Sequence, residues 1–146
     1  MTLPLSPERI AVSRLAWVGP LAVLGSVAGN GLVWAIAQAV IPISPEFMPL
    51  TTVGPTIFFT GVGALGAVGA FALVGRLAKQ PRPAFQIVAA IALLISLIPD
   101  VMLIAAPAGA PFQGITVPQV LVLMVMHVVA YGICVYVLTR FGMQRG

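Results

Sequence analysis

Charge is what this sequence lacks. Of its 146 residues only 7% are Asp, Glu, Lys or Arg, against 60% that are apolar, whereas a soluble domain carries about 25% charged residues. There are too few ionic groups to build a water-facing surface, so the apolar surface has to be covered by lipid or by partner proteins. Cysteine is almost missing too. Cys134 stands alone, which excludes an intrachain disulfide, and its apolar surroundings point to packing rather than redox chemistry. One histidine, His127, and three acids, Glu8, Glu46 and Asp100, give no zinc-ligand spacing, so neither a metal nor a cofactor is expected. No paired carboxylates and no nucleophile–base pair occur, and the segments between apolar runs are too short for a soluble catalytic domain. The net charge of +4 does not indicate nucleic acid, because the basic residues sit at the ends of apolar runs rather than along one groove-facing stripe.

What is present is a set of four long apolar runs, at residues 15–41, 51–75, 84–106 and 117–139. A helix needs about 20 residues to cross a hydrocarbon core of about 30 Å, and each run reaches that length. They are too long and too continuous for barrel strands, which alternate. Ser6, Pro7 and Glu8 read as a helix start, with Ser6 capping, Pro7 at the first position and Glu8 against the positive dipole end. Gly19-Pro20 should bend the first helix, and Pro42 and Pro45 end it. Thr116 and Gln119, three apart, fit a capping box ahead of the last run. Residues 107–114 read as a loop. Ala35-Ile36-Ala37 resembles a signal-peptidase site, but the apolar stretch before it far exceeds the usual 7–15 or so residues, so retention of the first span is expected. The fold class expected is an all-α membrane protein, an antiparallel four-helix bundle of left-handed or mixed packing. Its organisation is a segment 1–14, one transmembrane domain 15–141 and a tail 142–146.

The basic residues set the expected orientation. Arg9 and Arg14 precede the first span, Arg76, Lys79 and Arg82 lie between the second and third, and Arg140 and Arg145 follow the fourth. The other two connections contain no Lys or Arg. By the positive-inside rule both termini are cytoplasmic, in the cell membrane. Trp17 and Trp34, near opposite ends of the first span, are placed as interfacial anchors.

Gly61-Val62-Gly63-Ala64-Leu65-Gly66 spells a dinucleotide-binding fingerprint, but that motif works only at a strand-to-helix turn, and here it lies inside an apolar span. Its physical content is different. Gly63, Gly66 and Gly69 recur every third residue, and Gly25 and Gly29 form a GxxxG pair. Small residues let helix backbones approach closely where lipid removes the hydrophobic drive. Close helix packing is therefore expected at all five glycines, within the chain by default and otherwise against a second copy or another membrane protein.

Polar residues inside the spans carry the rest of the information. An ionisable group in lipid costs roughly 3 kcal/mol or more, which makes it a site candidate. At 1.5 Å per residue, Asp100 lies about 24 Å from the inner start of its span, Asn30 roughly 22 Å from Arg14, His127 about 18 Å from the inner end of the fourth, and Thr60 about 13 Å down from outside. These depths fall in one layer, in the outer half of the bilayer. If their faces converge, Asn30, Thr60, Asp100 and His127 form one polar cavity opening outward. The plainer readings are that Ser26, Ser96, Thr56 and Thr60 bond to nearby backbone or helices, that Asp100 reaches the headgroups because its helix ends at Pro99, and that His127 is a packing histidine. Tyr131 and Cys134 share the His127 face by helical spacing.

Four features together resemble a known family. They are an Arg-led first span with Asn30 and Trp34, a Gly/Ala-rich second span ending in the basic connection 76–83, Ser96-Leu97-Ile98-Pro99 in the third, and Met126-His127 in the fourth. The resemblance is to small bacterial four-span membrane proteins grouped as a domain of unknown function, over about residues 14–140. That family implies no activity to carry over, and the position after its proline is often apolar, so Asp100 departs from the pattern. The leading expectation is a non-enzymatic accessory or scaffolding component that packs through its glycine faces. The alternative is a small transporter or membrane binding protein whose cavity takes a lipid-like or cationic ligand; an Asp100–His127 pair in it would titrate jointly at pH about 5–8. An intramembrane enzyme using His127 as a base is the third reading, weakened by the lack of an orienting partner in the sequence. The bilayer itself is the one partner expected outright.

Overall fold

A computed structural model of the chain describes residues 9–144. The Ser6–Glu8 helix start and Arg145 lie outside the described residues. Four long helices carry the chain: α1 (Leu15–Val40), α3 (Val53–Leu77), α4 (Pro81–Ala105) and α5 (Val117–Phe141), with a one-turn helix α2 (Met48–Thr51) between the first two. Each long helix is long and apolar enough to cross a membrane, with mean hydropathy from 1.5 to 2.6, and at most 22% of its most apolar window is buried within the chain. The apolar surface left over faces outward, as at Leu24 and Leu94, about two-thirds exposed, and in a multi-pass membrane protein that surface meets acyl chains.

Local chemistry explains the helix ends. α4 begins at Pro81, three residues before its apolar run, because Pro81 and Pro83 both fall in the first turn, where a missing amide costs no helical bond. α5 starts with a capping box: the Thr116 N–H donates to Gln119 Oε1 at 3.2 Å, and the Thr116 side chain faces the Gln119 amide. In the α4–α5 connection Gly114 takes φ +65°, and the space beside it is filled by Ser44, so a side chain fits neither the backbone nor the space. α4 continues through Pro99 to Ala105, which keeps Asp100 inside the helix instead of at a fraying end.

α1 packs most extensively on α3 and α5, α4 lies along α5, and the α3–α4 contact is thin. At the end that carries both termini, the chain ends are clasped. The Ala11 N–H donates to the Gly142 carbonyl (2.9 Å), the Gln144 N–H donates to the Arg9 carbonyl (2.8 Å), and Arg14 Nη1 donates to the Met143 carbonyl (3.0 Å). The Ile10 side chain fills the notch left by Gly75. Val18, Ala22, Phe71, Phe85 and Leu138 form the core there. At the far end Phe47 and Leu50, both fully buried, join Leu103, Val120 and Met126. Trp34 Nε1 and Gln38 Nε2 both donate to the Leu50 carbonyl, at 2.9 and 2.6 Å, and pin the α1–α3 connection to α1. The Trp34 indole N–H is thus spent on the protein, whereas Trp17 is half-exposed and rests against Phe141.

The glycines divide in a way the sequence does not announce. A Cβ on Gly25 would stand 3.3 Å from Ile133 Cγ2, and one on Gly29 only 2.7 Å from Ile133 Cδ1 and 3.2 Å from Val129 Cγ1. These two give α5 close access to α1. Around Gly63, Gly66 and Gly69 a Cβ would meet nothing within 4 Å, so the close helix packing expected at these three does not occur within the chain. Their lost side chains leave room that no neighbouring helix fills.

Candidate functional site

That room is part of a groove. Between α3 and α4, with α5 and Asn30 of α1 behind them, lies a cavity of about 490 Å³, within the range of roughly 300–1,000 Å³ typical of small-molecule sites. On α3 it runs from Pro55 to Ala70, about 22 Å at 1.5 Å per residue. Gly63, Gly66, Ala67, Ala70, Ala89 and Ala92 keep its walls back. At the termini end the Phe71 and Phe85 rings meet edge to face, centroids 4.9 Å apart, and close the α3–α4 seam; Phe85 is the bottom of the groove.

The groove is chemically two-ended. Toward the clasped termini its lining is apolar, with Ala67, Ala70, Phe85, Val88, Ala89 and Val135. Toward the far end it gathers Asn30, Thr56, Thr60, Ser96 and His127 among Pro55, Phe59 and Met126, with Tyr131 near mid-groove. Asn30 Nδ2 donates to Thr60 Oγ1 at 2.9 Å, joining α1 to α3. His127 Nδ1 lies 2.9 Å from the Leu123 carbonyl and 3.1 Å from Asp100 Oδ2. A carbonyl only accepts, so Nδ1 carries the hydrogen and the ring's other nitrogen, Nε2, is left for the groove. Ser96 Oγ donates back to the Leu93 carbonyl at 2.7 Å, the ordinary use of a serine in a lipid-embedded helix. Ser26 Oγ lies 3.4 Å from Cys134 Sγ and ties α1 to α5 behind the groove.

Of the four residues singled out for ligand contact, Asn30, Thr60 and His127 line this one groove. Asp100 does not; it is buried, 4% exposed, and stands behind the imidazole. Because α4 runs on past Pro99, the acid is held in the protein rather than offered to headgroups. Thr56, assigned to backbone bonding by the plainer reading, is instead a wall residue whose Oγ1 is buried without a partner, as is Asn30 Oδ1. Nothing in the sequence separates Thr56 from Thr60, since both lie on the same α3 face four apart. Among the described residues no three His, Cys, Asp or Glu side chains gather as metal ligands would.

A protein-family model described as a family of unknown function, DUF6069, matches residues 10–143. No functionally curated protein and no solved structure matches the chain.

Proposed function

The chain belongs to DUF6069, a family of unknown function, and from that premise we propose that it is a non-enzymatic membrane binding protein whose α3–α4 groove holds an amphipathic, lipid-like molecule. The observation that carries the reading is the groove's polarity: one end apolar, the other set with Asn30, Thr56, Thr60 and His127. Two buried oxygens in the groove, Asn30 Oδ1 and Thr56 Oγ1, lack partners, and each costs about 1–3 kcal/mol in a dry setting. A ligand group recovers that cost. The thin α3–α4 contact gives such a molecule a lateral way in from the bilayer. With the basic ends of α3, α4 and α5 in the cytoplasm, the polar end of the groove lies in the outer half of the cell membrane.

The test is native mass spectrometry of protein purified from its own membrane. The wild type should carry a small-molecule adduct. Gly63→Leu puts a side chain into open groove space and should remove the adduct while circular dichroism and thermal unfolding stay as in the wild type. An adduct that survives Gly63→Leu, or a wild type that carries none, overturns the reading.

The second reading is the accessory or scaffolding role. Gly69 favours it, because it is exposed, lies outside the groove and has open space beside it. A partner helix seated there would make Gly69→Leu dissociate a complex on blue-native gels. An unchanged mobility would remove this reading.

A further inference from the structure

The hydrogen-bonding groups of the groove identify the head it is built for. This step rests on the binding reading above and narrows it. Asn30 and Thr56 are 3% and 6% exposed, and each keeps one oxygen without a partner, Oδ1 and Oγ1. An amide oxygen can only accept. His127 spends Nδ1 on the Leu123 carbonyl, with Asp100 Oδ2 3.1 Å from the same nitrogen. Thr60 Oγ1 accepts from Asn30 Nδ2, which leaves its hydroxyl hydrogen to donate, as Thr56 can. The unspent capacity is therefore one obligate acceptor, the Asn30 oxygen, and two hydroxyls. A group that both donates and accepts through one atom satisfies this set. A carboxylate, which only accepts, would face the Asn30 oxygen and stand near Asp100.

Depth narrows the choice further. Thr56, Thr60, Asn30 and His127 lie about 5, 10, 15 and 15 Å inside the far ends of their helices at 1.5 Å per residue. At about 10–15 Å, Thr60, Asn30 and His127 are below the headgroup layer, where a full charge is costly and a bulky polar head has no water. Beyond this layer, past Tyr131 and Cys134, the wall down to Phe85 is apolar. We propose that the ligand is a long-chain alcohol, an uncharged hydroxyl on a hydrocarbon chain, with the hydroxyl among Asn30, Thr56, Thr60 and His127 and the chain lying between α3 and α4 toward Phe85.

Four probes sharing one chain test this on the full-length protein in nanodiscs: hexadecan-1-ol, hexadecyl methyl ether, palmitate and hexadecyltrimethylammonium. The alcohol should bind about tenfold tighter than the ether, which keeps the oxygen but loses the donor, and palmitate should bind no better than the ether. The cation, which has no hydrogen to donate, should also match or trail the ether. Asn30→Ala should bring the alcohol-to-ether ratio close to one. Thr56→Val, nearly isosteric and free of the unpaired hydroxyl, should lower that ratio without lowering the melting temperature, so a folding failure of Asn30→Ala does not shelter the assignment. Equal binding of all four probes, each blocked by Gly63→Leu, would overturn the alcohol assignment and leave the groove reading standing. No binding by any probe, with Gly63→Leu indistinguishable from wild type, would overturn both.

Discussion

Gly29 on α1 and Gly63 on α3 are both mid-span glycines in small-residue stretches, and they do opposite things. A Cβ on Gly29 would sit 2.7 Å from Ile133 Cδ1; a Cβ on Gly63 would meet nothing within 4 Å. At the α1–α5 seam the missing side chains let a neighbour in, and the contact is among the most extensive in the bundle. At the α3–α4 seam the missing side chains keep a space open, the contact is thin, and polar groups gather along the gap. Glycine removes steric bulk in both places, and what fills the room depends on the facing helix. Ile133 and Val129 reach into the first gap, whereas the α4 wall of the second includes the small residues Ala89, Ala92 and Ser96 beside Val88 and Leu93.

The comparison breaks most readily at Gly29. Gly29→Leu has to displace Ile133 and Val129 in a closed seam, and overpacking of this kind costs about 3 kcal/mol or more. Thermal unfolding in detergent should show a large drop in melting temperature or failure to accumulate folded protein. A wild-type melting curve would mean that α1 and α5 are not held as closely as the 2.7 Å clearance implies.

Next in size is His127→Ala. It leaves Asp100, 4% exposed, without the ring nitrogen 3.1 Å away. A buried polar group left without its neighbour costs about 1–3 kcal/mol. Asp100→Asn keeps the shape and removes the charge, so it should cost less than His127→Ala in the same denaturation assay. The reverse order would show that the acid, not the ring, is the structural member.

The open seam gives a smaller effect of opposite sign. Gly63→Ala and Gly66→Ala add a methyl to open space and replace the poorest ordinary helix former with the best, a gain of up to about 1 kcal/mol each. Gly25→Ala meets Ile133 Cγ2 at 3.3 Å, which offsets that gain. A melting temperature that falls for Gly63→Ala would mean that something packs there in the folded protein.

The polar layer was legible in the sequence because depth is arithmetic. Counting 1.5 Å per residue along spans marked by charge and proline put Asn30, Thr60 and His127 at one level, and the fold brings those three to one groove. The spans were legible for the same reason, since a run of apolar residues has one cheap solution in lipid. Rotation about each helix axis was not legible. Asp100 shares the level yet faces behind His127, and Thr56 turns out to be a wall residue with an unpaired oxygen. Near-uniform hydrophobicity around a lipid-embedded helix erases the periodicity that fixes the buried face of a soluble one. The use of each glycine was hidden as well, because it belongs to the facing helix. The anchoring of Trp34 and Gln38 on the Leu50 carbonyl was hidden because Leu50 presents a backbone atom, which no side-chain pattern reveals.

Ser26→Ala sharpens the comparison at its smallest scale. Ser26 is fully buried in the closed seam, and its Oγ lies 3.4 Å from Cys134 Sγ, while Cys134 also lines the groove. Interhelical hydrogen bonds in membranes contribute about 0.6 kcal/mol on average, because the separated helices find other partners. If the closed seam is held by packing, Ser26→Ala shifts the unfolding free energy by that amount or less, and a double-mutant cycle with Cys134→Ala returns a coupling of the same size. A coupling well above about 1 kcal/mol would mean that the seam is closed by its polar contact and that Gly25 and Gly29 only permit it. The distinction between a seam shut by glycine and one left open by glycine would then rest on Ser26, which faces Cys134 across the closed seam.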